Sequence, residues 1–127
     1  MTNLYLISGL GADKRIFGKL GFPENYRIHY IEWAPFAEGE SMEQYAAKLS
    51  GQIDQREPFS LIGLSFGGML AVEISKILEP KHTVLISSVA GPFEFSWSYR
   101  LLGKLALPRI YHTHIFLRPS PIVFRLF

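Results

Sequence analysis

Apolar residues along this chain follow two rhythms. Short, nearly continuous runs at Leu4–Ile7, Phe59–Ile62 and Thr83–Ile86 alternate with longer stretches in which apolar positions recur every three or four residues. The runs predict strands buried on both faces, and the longer rhythm predicts amphipathic helices. In chain order, the first strand leads into the turn Ser8-Gly9-Leu10-Gly11-Ala12. A short helical segment around Ile16–Leu20 is stopped by Gly21 and Pro23. Tyr26–Ile31 reads as a second strand, followed by a loop over Ala34–Glu40 that carries Pro35 and Gly39. Ser41, with Gln44 three positions on, forms a capping box. It opens a helix whose apolar stripe is Met42, Tyr45, Ala46, Leu49 and Ile53. Pro58 precedes the third strand, a helix runs from about Phe66 to Leu78, Pro80 closes it, and Thr83–Ile86 is the fourth strand.

Four strand–helix alternations with apolar strands predict an α/β fold: a three-layer sandwich around a mostly parallel sheet, with helices on both faces. Right-handed crossovers place every strand C-terminus along one edge. The Gly9–Gly11 turn, the Glu32–Glu40 loop, the turn at Ser65 and the Ser87–Glu94 loop all open there, where open α/β sheets bind ligands. Residues 1–94 form this core. Past Glu94 the rhythm breaks. Trp97–Leu107 reads as one helix with Trp97, Leu101, Leu102 and Leu105 on a face, and Pro108, Pro119 and Pro121 interrupt the run rich in Ile, Phe and Leu beyond it. Residues 95–127 therefore read as a helical and irregular cap over the active edge, with an interfacial membrane segment as the alternative. The prolines favour the cap, because they forbid one long amphipathic helix.

Composition narrows the classes. A chain of 127 residues, 48% hydrophobic, is enough for one modest domain with a core, and disorder is excluded. There is no cysteine, so no disulfide framework and no thiolate chemistry. A net charge of +2 gives no case for nucleic acid. Its distribution is uneven: residues 1–94 hold eight Lys/Arg against eleven Asp/Glu, and residues 95–127 hold five Lys/Arg and no acid. The opening Met1-Thr2-Asn3 lacks a basic region and the apolar run after it stops at Ser8, which speaks against a signal peptide. No stretch approaches the length of a transmembrane helix. The expectation is a cytoplasmic protein with a small-molecule substrate, no cofactor, no metal and no stable membrane insertion.

The chemistry concentrates at Gly63-Leu64-Ser65-Phe66-Gly67-Gly68, between the third strand and the helix after it. Glycines two residues either side of the serine permit a tight strand-to-helix turn. That turn forces Ser65 into a sparsely populated backbone conformation and lifts its hydroxyl clear of the sheet, with a helix N-terminus behind it. A serine so placed is a candidate nucleophile. The plainer reading is a strand–turn–helix with a capping serine.

Ser8-Gly9-Leu10-Gly11, the Ser65 motif and Thr83-Val84-Leu85-Ile86-Ser87-Ser88 together resemble the N-terminal half of an α/β-hydrolase fold serine hydrolase, over about residues 4–94, with the start of that family's variable cap after it. Ser8 stands where the family commonly has histidine. The resemblance implies that Ser65 attacks an acyl carbon while the backbone N–H groups of Leu10 and Phe66 hold the oxyanion, with the Leu10 and Phe66 side chains lining the pocket. It also implies a departure. In the family the triad acid and histidine follow the serine on later loops, and this chain stops before them, so a truncated or degenerate hydrolase is expected. Glu94 is the one stand-in for the acid, and His112 and His114 are the candidates for the base. His29 lies inside a strand, and His82 enters one from the opposite edge.

Two other classes stay open. The strand, Gly9-x-Gly11 and Glu32 imitate a dinucleotide site, but Lys14 replaces its third glycine. A non-catalytic binding module on the same fold is the other. A sheet that stops after four strands also leaves an unpaired edge beside Thr83–Ile86, through which self-association is expected.

Overall fold

The structure, a computed structural model, describes residues 1–91 and 94. The strands are β1 (Thr2–Ile7), β2 (Tyr26–Tyr30), β3 (Phe59–Leu64) and β4 (Thr83–Ile86), and the α-helices are α1 (Met42–Ser50) and α2 (Phe66–Ile77). The sheet is parallel throughout, in the order β2-β1-β3-β4. The chain winds from β1 out to β2, then returns past β1 to β3 and on to β4. The winding direction therefore reverses between β1 and β3, and the loops after these two strands diverge around a crevice.

The alternation of side chains along β1 divides the core. Tyr5 and Ile7 join Phe59 and Leu61 on one face, under Tyr45, Ala46 and Leu49 of α1 and Leu70, Ala71 and Ile74 of α2. Leu4 and Leu6 point the other way, to Phe17, with Phe22, Ile28, Ile62 and Leu64 around them. Helices are expected on both faces; among the described residues the α-helices cover one. Both α-helices lie on the first face and pack against each other. The second face carries, among the described residues, only the 3-10 turn Lys14–Phe17 and the chain after it. The reason is length. The β1–β2 crossover does return on that side, but its helical segment is four residues long, is capped by Asp13 and is ended at Gly18. Val84 on that side of β4 is 46% exposed.

Two element boundaries also differ from expectation. The Ser41 capping box forms with both of its bonds, Ser41 Oγ accepting from Gln44 N–H and Gln44 Oε1 accepting from Ser41 N–H. The helix it opens stops at Ser50, however, and Ile53 reaches the core from the turn that follows. The short segment expected around Ile16–Leu20 forms earlier, at Lys14–Phe17. β2 and β4 are the outer strands among the described residues. The cap assigned to residues 95–127, with His112 and His114, lies outside the described residues. Among the described residues no helix is long and apolar enough to cross a membrane.

Candidate active site

The bend at Ser65 is built by close approaches of main chain at two glycines. A side chain on Gly63 would collide with the carbonyl oxygen of Gly67 and the Cα of Gly68, and one on Gly67 would collide with the carbonyl oxygens of Ile7 and Ser8. Only glycine lets α2 start this close to β1 and β3. Ser65 takes the strain, at φ 53° and ψ −121°, and its side chain makes no cap hydrogen bond to the helix. The residue is exposed. The capping-serine reading is thus corrected: Ser65 stands at the N-cap position but does not cap.

The main chain at Ser65 is braced from β4. Its N–H donates to the Ile86 carbonyl at 2.9 Å, and Ser88 Oγ donates to its carbonyl at 2.6 Å. Ser87, just after β4, is itself at φ 47°. The loop after β1 comes over the same point. The Cβ direction of Gly9 ends 3.4 Å from Ser65 Cβ and 4.0 Å from its Oγ. That loop turns through Gly11 at φ 73° and closes with Ala12 N–H on the Gly9 carbonyl at 3.1 Å. Among the described residues, Leu10 N–H at the apex of this loop has no hydrogen-bond acceptor. Phe66 N–H is the first of the amides that every helix leaves unpaired at its start.

An aromatic group stands behind these amides. Trp33 stacks on Phe66 with ring centroids 6.0 Å apart and planes 15° apart, and on Tyr45 at 6.0 Å and 28°. Phe36 stacks on Tyr45 at 3.8 Å. The Phe66 side chain is therefore committed to this stack, while Leu10 is 37% exposed at the loop tip. Trp33 Nε1–H donates to Ser8 Oγ at 2.8 Å, and the buried Ser8 hydroxyl donates to the Ala12 carbonyl at 2.9 Å. Trp33 did not stand out in the sequence, and Ser88 entered only as the last residue of the motif around the fourth strand. The available signals were an aromatic placed just past the second strand, on the ligand edge, and a small polar pair directly after the fourth.

Tyr45 clamps the backbone beside Trp33. Its hydroxyl donates to the Ala34 carbonyl at 2.7 Å and accepts from Ala34 N–H at 3.1 Å. Burial pushes its pKa up to about 12, the Ala34 hydrogen bond opposes this, and Glu40 adds to it. In the unfolded chain the phenol loses its proton near pH 10. Between those values the unfolded state binds fewer protons than the folded one, so stability falls as pH rises. Urea denaturation is expected to show this loss between pH 10 and 12, with its Tyr45 share absent from Tyr45→Phe; equal slopes in both proteins would refute the assignment.

None of Glu94, His29 and His82 hydrogen-bonds Ser65. Glu94 closes a turn of its own, its carboxylate accepting from Ala90 N–H at 2.8 Å and its N–H donating to the Gly91 carbonyl at 3.2 Å. His29 Nε2 lies 3.0 Å from Asn3 Oδ1, and the ring stacks on Tyr5. His82 precedes β4, its carbonyl accepting from Leu61 N–H. At the imitated dinucleotide site, the Gly9–Gly11 turn leads into a four-residue 3-10 turn, so that turn opens no α-helix whose N-terminus could receive a pyrophosphate. The Glu32 backbone there is paired with the Gln52 amide on both its N–H and its carbonyl. Among the described residues no group of three His, Asp or Glu could hold a metal ion. No family model matches the chain, and no curated protein matches it.

Proposed function

We propose that the chain is an α/β-hydrolase-type serine hydrolase acting on ester, amide or related bonds, with Ser65 as nucleophile and the N–H groups of Leu10 and Phe66 as oxyanion donors. The observation that carries this reading is the strained, uncapped, exposed Ser65, with the Gly9–Gly11 loop against its side chain. A merely structural serine would not hold that backbone conformation without its hydroxyl bonding to the helix. In the proposed step Ser65 Oγ adds to the carbonyl carbon. Its proton passes to solvent water or to an imidazole, for which the chain's candidates are His112 and His114. The carbonyl oxygen takes the negative charge toward the two amides, each such donor being worth about 3 kcal/mol of barrier. The bond to the leaving group then breaks, that group takes up a proton, and water releases the acid from the serine. The cytoplasmic location and the small-molecule substrate expected from the sequence belong to this proposal.

A fluorophosphonate probe tests it. Oγ attacks phosphorus, the phosphorus–fluorine bond breaks, fluoride leaves and the hydroxyl proton goes to water. The expected result is labelling of the wild type, read by intact mass, and none of Ser65→Ala. A folded wild type that stays unlabelled would assign the chain to the non-catalytic binding class instead.

A further inference from the structure

Trp33 touches both halves of the proposed oxyanion site. Its indole N–H donates to Ser8 at 2.8 Å, and its ring face lies on Phe66 at 6.0 Å. Ser8 in turn donates to the Ala12 carbonyl at 2.9 Å, which closes the far end of the turn that presents Leu10 N–H. The indole is itself held from below. Tyr45, wholly buried on α1, stacks on it and fixes the backbone of the next residue, Ala34, through two hydrogen bonds. A rigid path thus runs from the helix through Trp33 to both loops. The two amides come from segments more than fifty residues apart, and they must converge on one oxygen to within a few tenths of an ångström.

We propose that Trp33, acting through Ser8, is a positioning residue that sets the distance between the Leu10 and Phe66 amides. This rests on the hydrolase reading above and names what makes its site precise. Ser8 is fit for the task because a hydroxyl can accept from the indole and donate to a carbonyl at once. Alanine there would leave the indole N–H and the Ala12 carbonyl without that partner.

Trp33→Phe keeps an aromatic ring in the stack but removes the donor along with part of the indole, so Ser8→Ala, which removes the hydroxyl alone, is the variant that separates positioning from packing. The maximal rate of fluorophosphonate labelling is expected to fall about tenfold, within the range that loss of one oxyanion donor produces. The apparent affinity for the probe should not change, because the bound probe before reaction carries no developing charge. Ser8→Ala should do the same. The double variant should be no slower than the slower single one, since both remove one linkage. Circular dichroism melts of each variant identify any rate change that comes from partial unfolding, and rates are compared at a temperature where all three are folded. An unchanged rate in Trp33→Phe, a rate loss matched by lost affinity, or multiplied losses in the double variant would overturn the proposal while leaving Ser65 as nucleophile. An unlabelled wild type would overturn both.

Discussion

Gly67→Ala is expected to lower the melting temperature by about 15 °C or more, on the scale of several degrees per kcal/mol for a domain this small. The new methyl group would collide with the carbonyl oxygens of Ile7 and Ser8 and stand 2.8 Å from the Ile7 carbonyl carbon. All of these atoms are main chain. No rotamer change relieves the contact, so either α2 lifts from the sheet or β1 loses its place in it. Gly63→Ala should behave alike, because it meets the backbone of Gly67 and Gly68, with the Gly67 carbonyl carbon at 2.6 Å. Gly68→Ala meets a side chain instead, Ser88, whose removal is possible. Gly68→Ala with Ser88→Gly should therefore be more stable than Gly68→Ala alone, even though the double variant loses the Ser88 bond to Ser65. Gly21→Ala, with no atom within 4 Å of its added carbon, is the control and should change stability by less than about 0.5 kcal/mol. A Gly67→Ala protein that melts within a degree or two of the wild type would mean that the helix does not start against β1.

The same glycines explain why the bend was legible in the sequence while its surroundings were not. A glycine that must accept a close backbone approach is a local requirement, written within five residues of Ser65. The apolar runs that became β1, β3 and β4 are local too, and so is the Ser41–Gln44 box that opens α1 with both of its bonds. The layer over the second face is not local. Handedness decided which side the β1–β2 connection returned on, but the helix that formed in it is four residues long, too short for a covering layer. Ile53 misled in a related way. It continues the apolar stripe of α1 because the turn after the helix still lies over the core, so burial and helicity part company after Ser50. The bond between Trp33 and Ser8 links residues 25 apart through a turn, a strand and a loop. Hydrophobic period carries no record of such a pair; only the strand register that brings Leu6 beside Tyr30 does.

Ser65→Gly is expected to make the protein more stable while abolishing its labelling. Backbone held in a sparsely populated region costs about 1–3 kcal/mol for a residue with a Cβ, and glycine reaches φ 53° without that cost. Against this, glycine gives the unfolded chain extra freedom worth about 0.5–1 kcal/mol. The serine side chain is exposed and makes no cap bond, so little else is lost with it. The net expectation is a gain of about 1 kcal/mol, read as a higher urea midpoint at constant slope. Ser65→Ala keeps the Cβ and hence the strain, and should match the wild type. An ordinary capping serine would give the opposite order: glycine costing a few tenths and alanine about 1 kcal/mol. The two readings of residue 65 therefore differ in the sign of a stability change that needs no substrate. A Ser65→Gly protein less stable than the wild type would return that residue to a structural role. A more stable one would indicate that the fold holds this hydroxyl in place at its own expense, as a site shaped for reaction does.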